Sequence, residues 1–477
     1  MFKKVYHNTI QTRTIDILKQ TKAKEVKDLL LTNFFKNNYV DHKIHRKILS
    51  IAIPLILSNL TVPLLTFVDT AMIGHLGNVA YLGGITAGAT LFTLIYGNFI
   101  FLRMGTTGLS AQAFGANKNN ELVNVFSRSI ILGLLIGFLI IIFRDSIFTL
   151  FLPVLSLSGE VGESSSNYMS IRIFSAPAVL MNFGIIGCLI GIQKTKVVLA
   201  IAFLVNGLNI VLDYVFVVYW GMDVSGVALG TLISEWTACI FGLVILGMIL
   251  KRLQVNLFRV NIFSKEEFLR LFNLNIDIFI RTFCLVATHI WFINRSSNLG
   301  DLELAANGIL LNFVYISAFF VDGFAFTTES LVGQAKGRKD AILFKQYVIN
   351  STIWCVISGI VCVMFFGFLG EKLIQLLTDI LTVREMSSKF LIWVVLLPVI
   401  SSFSYQLDGI FTGATKTRDM RNGAIISFFI FIIATIVLVP VSGNHGLWVS
   451  YILFILLRAI TLSLKFSGLQ REITLLK

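Results

Sequence analysis

LVNVFSRSIILGLLIGFLIIIF, residues 122–143, decides the fold. It runs for 22 residues with Arg128 as its one charge, and a helix needs about 20 apolar residues to cross a bilayer. Working outward from it, comparable apolar stretches separated by polar punctuation lie at about 48–74, 82–112, 166–192, 197–219, 226–250, 268–294, 304–334, 346–369, 390–413, 422–441 and 446–464, which makes twelve spans in all. The composition agrees. Of 477 residues 56% are hydrophobic and 14% charged, whereas soluble domains carry about 25% charged residues. Forty-two phenylalanines stand against six prolines, so apolar segments prevail over loops. The expectation is an all-α polytopic membrane protein.

A net charge of +13 would suggest nucleic acid in a soluble protein. Here it is read as basic residues gathered in one set of loops, and no nucleic-acid partner is expected. Loops after even-numbered spans hold fourteen Lys and Arg, among them Lys194, Lys196, Lys251, Arg252, Lys336, Arg338, Lys416 and Arg418; loops after odd-numbered spans hold five. Positive loops stay inside, so the even loops and both termini are expected in the cytoplasm. On that basis residues 1–45 form a basic extension on the cytoplasmic or membrane-surface side, 46–250 a first lobe, 251–267 a linker between lobes, 268–465 a second lobe and 466–477 a cytoplasmic tail. The five cysteines all fall in apolar stretches without CxxC spacing and read as small buried hydrophobes.

The two halves repeat. Gln112–Gly115 (QAFG) recurs as Gln334–Gly337 (QAKG), and Gly191–Lys196 (GIQKTK) as Gly413–Arg418 (GATKTR), both at a shift of 222 residues. Pro177 recurs as Pro398 at a shift of 221. Six spans per half is an even number, so both halves enter from the same side. Parallel repeats of this kind are related by a pseudo-two-fold axis along the membrane normal, with a substrate site between them near the midplane.

A charge at mid-bilayer costs about 2.5–3.5 kcal/mol on insertion scales, so ionisable residues inside spans mark function. Asp69 lies in span 1, and Asn209 and Asp213 share a face of span 5 at i, i+4. Thr231 stands early in span 6. Together they form an all-oxygen set suited to a proton or to a hard cation such as Na⁺; helix-packing hydrogen bonds are the bland alternative. Their counterparts at the 222 shift are Trp291, Phe431, Thr435 and Leu453, none ionisable, so the site belongs to one half. Arg103 of span 2 maps between Asp322 and Glu329 of span 8, which predicts pairing with one of them across a cleft, either as a gate or as a permanent tie. Asp408 of span 10 is the remaining candidate there, while Asp277 and Arg281 read as a local pair in span 7. Glu235 could join the span 5 site. Arg128, Arg172, Arg270 and Arg458 lie where they could snorkel to the interface. Pro54 and Pro63 each remove a backbone hydrogen bond from span 1, making it bendable before Asp69. There is no GK dipeptide and no HExxH, which speaks against an ATP-driven pump, a metalloprotease and, more broadly, an enzyme; no cofactor and no metal beyond a coupling Na⁺ are expected.

Several blocks are longer than these single residues. VDTAMIGHLG (68–77), FLRMGTTGLSAQAFGA (101–116), NIVLD (209–213), DGFAFTTESLVGQAKG (322–337), DGIFTGATKTRDMRN (408–422) and GNHGLW (443–448) closely resemble the DinF branch of the MATE (multidrug and toxic compound extrusion) transporters, over about residues 46–465. The resemblance implies a twelve-helix antiporter of two six-helix lobes in the bacterial cytoplasmic membrane, exchanging H⁺, favoured here over Na⁺, for small organic and mostly cationic amphiphilic compounds. It carries the family's cation-coupling positions onto Asp69, Asn209, Asp213 and Thr231, and its span 1 proline onto Pro54. A monomer is expected. The rival is a flippase of lipid-linked precursors, whose cleft would be lined with basic residues.

Overall fold

The computed structural model describes residues 41–74, 79–155, 159–252 and 264–475, with side chains described except at 64–74, 79 and 151–155. Among them every regular element is helical. In the first lobe α1 (His42–Gly74) is span 1, α2 (Val79–Gly97) and α3 (Phe101–Gly115) make span 2, and α4 (Asn119–Ile142) is span 3. A short α5 (Arg144–Leu155) leads to α6 (Gly159–Arg172) and α7 (Ala176–Gly191), which make span 4; α8 (Thr195–Asp213) and α9 (Asp223–Arg252) carry spans 5 and 6. In the second lobe α10 (Lys265–Leu299), α11 (Asp301–Gly337), α12 (Ala341–Leu377) and α13 (Leu381–Gly413) are spans 7 to 10. The last helix, α14 (Thr417–Leu475), has 59 residues, about 90 Å at ~1.5 Å per residue, three times a bilayer's apolar thickness. It turns at Gly443, with φ 55° and ψ −133°, a backbone that only glycine adopts freely. Spans 11 and 12 are its two arms, and the twelve spans are complete.

Three spans depart from uninterrupted α-helix. Span 2 breaks after Gly97, where Phe99 N donates to Tyr96 O at 2.9 Å. Span 4 passes through a 3₁₀ turn at Ile173–Ser175 before Pro177 opens α7, the helical position where a missing N–H is tolerated. Span 5 widens into a π-helical turn at Tyr214–Tyr219 directly after Asp213. Span 1, by contrast, is one helix through both of its prolines. The last helix also continues to Leu475 instead of ending near 465, and Glu472 in its final turn pairs with Lys416 (2.6 Å) and Lys336 (3.8 Å). Of the expected linker and extension, residues 253–263 and 1–40 lie outside the described residues.

Many apolar side chains point outward, including Phe368, Leu376, Ile142 and Phe203, as lipid-facing side chains do. Inside, one apolar core takes in the whole first lobe together with Leu331, Val332, Phe344 and Phe411 of the second. A separate core, built on Phe292, Phe313, Phe366 and Trp448, belongs to the second lobe alone. The lobes are therefore fused at one end and separate at the other. The fused end carries the basic loops after even-numbered spans and is called the basic face below.

The seam at that face is polar and symmetric. Lys47 Nζ of α1 donates to Gln334 Oε1 (2.9 Å) and Tyr347 Oη (2.9 Å) across the lobes. Gln193 Nε2 reaches the same Gln334 oxygen at 2.9 Å, and Gln112 Nε2 donates to Gly413 O at 2.9 Å. Gln112 and Gln334 are equivalent in the repeat, and so are Gly115 and Gly337. A Cβ on Gly115 would run into the Gln334 carbonyl, and one on Gly337 into the Gln112 carbonyl. Only glycine lets the ends of spans 2 and 8 come this close.

Candidate functional site

In the first lobe, α8 and α9 bring three of the four expected coupling residues together. Asn209 Nδ2 lies 3.2 Å from Asp213 Oδ1 and 3.3 Å from Thr231 Oγ1, and Asn209 and Asp213 are 2% and 1% exposed. The spacing i, i+4 on α8 stacks amide over carboxylate, and Gly230 on α9 leaves room for Asp213, whose carboxylate occupies the place a Cβ would take. Thr231 Oγ1 donates to Val227 O at 3.0 Å, so its lone pairs face Asn209. The Asn209 Oδ1 atom is buried without a hydrogen bond among the described residues, leaving an oxygen able to receive a cation or a proton donor. Asp69 sits near the end of α1, and its side chain lies outside the described residues. Its repeat counterpart Trp291 donates through Nε1 to Thr435 Oγ1, the counterpart of Asp213, at 2.9 Å.

The second site is a cavity of about 430 Å³ between the lobes. Arg103, Arg281, Asp322, Glu329, Asp408 and Arg458 all line it. Arg103 comes from the first lobe and its Nη1 lies 3.9 Å from Glu329 Oε2; its guanidinium lies 3.9 Å from the centroid of the Phe326 ring. Of the two expected partners, Glu329 is thus the nearer. Asp408 Oδ2 accepts from both Arg281 and Arg458. Gly409 and Gly413 permit this: a Cβ on either would meet a span 8 carbonyl, Ala325 O or Glu329 O, so span 10 lies backbone to backbone on span 8 with its aspartate at the cavity wall. Tyr405, Tyr451, Phe454 and His289 complete the wall, with His289 Nε2 2.7 Å from Tyr315 Oη. Pro54 lies buried in α1, in the half toward the basic face.

The structure corrects several sequence expectations. Asp277 and Arg281 do not pair: Asp277 accepts from Arg421 Nη1 (2.6 Å) and Thr417 Oγ1 (3.0 Å), while Arg281, one turn deeper, reaches Asp408. Glu235 does not join the Asp213 site but meets Arg172 at 3.6 Å. Of the four arginines expected to snorkel, only Arg270 is exposed. Arg128 is buried between Glu121 (3.5 Å) and Glu267 (3.9 Å). Arg458 lies mid-helix because its span runs on to Leu475. It was missed because the apolar run, not the helix, ends near residue 464.

Two fused lobes around a charged internal cavity define a membrane transporter of the two-lobe kind, and the comparisons with known proteins agree. The MatE family model matches residues 54–215 and again 278–441, two copies whose starts lie 224 residues apart, close to the shift read from the repeat. DNA damage-inducible protein F of Escherichia coli (strain K12) is 36% identical over 419 residues, 87% of this chain and 90% of that protein. A probable multidrug resistance protein NorM of Halalkalibacterium halodurans is 23% identical over 89% of this chain and 94% of its own length. Among solved structures, a MOP superfamily transporter from Pyrococcus furiosus Vc1 (DSM3638) superposes with a TM-score of 0.80 at 18% identity, covering 91% of this chain and 96% of that one. The chain belongs to the MatE family, whose members are transporters and not enzymes.

Proposed function

We propose that this protein exports small organic compounds from a bacterial cell across its cytoplasmic membrane, in exchange for protons, by alternating access. The name of one relative, a probable multidrug resistance protein, supports drug efflux. The observation that carries the reading is the charged cavity between lobes that are fused at one face only. With the basic face in the cytoplasm, as the loop charges favour, this is a state sealed toward the cell interior. Asp69, Asn209, Asp213 and Thr231 form the cation site; the contact between the repeat counterparts of Asp69 and Asp213 supports placing those two side by side. Protonation there acts on span 1, which Pro54 makes bendable. Arg103 and Glu329 tie the lobes across the cavity, and Asp322 receives the cationic group of the substrate.

A proton exchanged for one monovalent organic cation moves no net charge, so the driving force is the pH difference, about 1.4 kcal/mol or a tenfold substrate gradient per pH unit. The experiment is uptake of a fluorescent organic cation into inverted vesicles under an imposed ΔpH or an imposed Na⁺ gradient. Uptake is expected with ΔpH and not with Na⁺ alone, and Asp69→Asn is expected to abolish it; coupled uptake surviving in that variant refutes the cation site, and uptake driven by Na⁺ alone replaces the proton as the coupling ion.

A further inference from the structure

The first lobe holds an ion pair away from the cavity to which the transport cycle gives no task. Arg172 Nη2 of α6 lies 3.6 Å from Glu235 Oε1 of α9, with side chains 18% and 16% exposed. The pair stands at the depth of the coupling site. Tyr96, Arg172, Ser175, Asp213 and Glu235 all lie sixteen to nineteen residues from the basic-face ends of their spans. Ser175 belongs to the 3₁₀ turn of span 4, which begins next to Arg172, and Tyr96 stands just before the break in span 2. A break in a spanning helix leaves backbone groups that lipid cannot satisfy. Here α9 supplies one partner, Trp236 Nε1 donating to Phe174 O at 3.0 Å. The Tyr96 and Ser175 hydroxyls, 3.2 Å apart, join the two breaks to each other. Arg172 also donates to Tyr168 Oη and lies 5.4 and 5.6 Å from the Phe92 and Tyr168 ring centroids. The ion pair therefore ties α9 to the place where spans 2 and 4 are both broken.

A tie that only holds helices together needs no charge at this depth. A buried ion pair repays little more than its desolvation cost, and ionisable residues inside spans are expensive. The second lobe shows the apolar alternative. At the repeat shifts of 221 and 222 residues Arg172 falls on Trp393 or Val394, and at 222 Glu235 falls on Leu457, while spans 8 and 10 run unbroken. The pair is thus confined to the lobe that holds Asn209, Asp213 and Thr231, and one helix face joins it to them. Thr231 and Glu235 are i, i+4 on α9, so the hydroxyl that accepts from Asn209 stands one turn from the carboxylate that Arg172 holds. We propose that Arg172 and Glu235 are positioning residues of the coupling site: their attraction fixes the rotation and depth of α9, and with them the distance from Thr231 to Asn209, while neither residue touches the coupling cation. This rests on the reading of the first lobe as the coupling lobe and names what holds that site in shape. The other titratable groups facing the pair are the phenols of Tyr96 and Tyr168, so Glu235 is the carboxylate that Arg172 holds.

Two readouts test this. Spin labels on Gly207→Cys and Ile233→Cys, both exposed, report the spacing of α8 and α9 in the purified full-length protein without any gradient. Uptake of a fluorescent organic cation into inverted vesicles reports the pH at which ΔpH-driven transport is half-maximal. Glu235→Gln should broaden the label distances and move that pH toward acid by about one unit, a tenfold loss of proton affinity. Uptake at the largest ΔpH should stay near the parent's rate. Combining Glu235→Gln with Arg172→Gln removes the stranded charge, so the melting temperature should recover; the tie stays lost, so the broadening and the pH shift should persist. Arg172→Lys, which keeps the charge, should keep most of the parent's behaviour in both readouts. Label distances unchanged in Glu235→Gln, or a pH profile restored in the double variant, overturn the proposal and leave the pair an architectural tie. Loss of all ΔpH dependence in Glu235→Gln also overturns it, because Glu235 would then carry the proton itself. If the parent shows no ΔpH-driven uptake, the export reading falls, and the labels still decide whether the pair sets the α8–α9 spacing.

Discussion

The two polar sites bury carboxylates in opposite ways. In the first lobe Asp213 sits with an amide and a hydroxyl, Asn209 and Thr231, on neighbouring helices. In the cavity Asp408 is clamped by two guanidiniums. A carboxylate with an amide and a hydroxyl beside it can gain and lose a cation without stranding a neighbouring arginine. A carboxylate between two arginines is answered permanently, and neutralising it would strand two positive charges in a poorly solvated wall. The proposed function divides the jobs along this difference: coupling in the first lobe, architecture and substrate recognition in the cavity.

The sharpest way to break this assignment is to remove the negative charge at each site without changing shape. Asp213→Asn should reduce ΔpH-driven uptake to the background of empty vesicles while leaving the protein's melting temperature in detergent nearly unchanged. Asp408→Asn should do the reverse at first sight, costing about 3–5 kcal/mol of stability by leaving Arg281 and Arg458 uncompensated. Its loss of transport should follow its loss of folded protein. A stable Asp408→Asn protein that still carries substrate but ignores ΔpH would move the coupling site into the cavity.

The seam at the basic face gives the next largest effect. Gly337→Ala puts a methyl group into the Gln112 carbonyl, which the facing backbone cannot accommodate while the face is closed. The variant should favour the conformation open at that face. A cysteine placed at Gln193, which otherwise bonds Gln334, should then be labelled several-fold faster by a membrane-impermeant maleimide in inverted vesicles. Gly115→Ala should act in the same direction, since its clash is the mirror of the first. Labelling unchanged in both would show that the glycine contacts do not control the seam.

A smaller effect tests the one-sidedness of the coupling site. Thr435 occupies in the second lobe the place of Asp213 and holds the Trp291 indole. Thr435→Val should cost about 1 kcal/mol for the lost hydrogen bond, seen as a modest fall in melting temperature, with the ratio of ΔpH-driven to passive uptake untouched. A changed ratio would mean that the second lobe shares in coupling.

Much of this was legible in the sequence, for reasons that differ by site. Twelve apolar runs follow from the cost of backbone polar groups in lipid, which leaves helices as the spanning choice. Asn209 and Asp213 could be paired because i, i+4 on a helix is a fixed geometry. The QAFG and QAKG blocks pointed to equivalent positions, but not to their meeting across the seam, since that depends on how the lobes are rotated together. The cavity arginines were harder still. Spacing along one element points Arg281 to Asp277, its neighbour on the helix, and says nothing of a longer reach to span 10. Hydropathy marks where apolar residues stop, which puts Arg458 near a span end, whereas that helix continues in polar sequence through Glu472.

That continuation yields the smallest expected effect and tells decoration from function at the basic face. Glu472 bridges Lys416 and Lys336, and Lys336 also donates to the Ala414 carbonyl at 2.6 Å. All of these bonds stay within the second lobe, and the Glu472 side chain is 40% exposed. An exposed pair contributes about 0–1 kcal/mol and weakens with salt, whereas the Lys47–Gln334 bond crosses from one lobe to the other. Glu472→Gln should therefore leave uptake within about twofold of the parent and lower the melting temperature slightly, by an amount that disappears at high salt. Lys47→Met removes a bond that the proposed cycle breaks whenever the seam opens, so it should raise maleimide labelling at the Gln193 position as the glycine variants do. If Glu472→Gln instead opened the seam as strongly as Lys47→Met, the last helix would be part of the closure and the line between seam and tail would have to be redrawn.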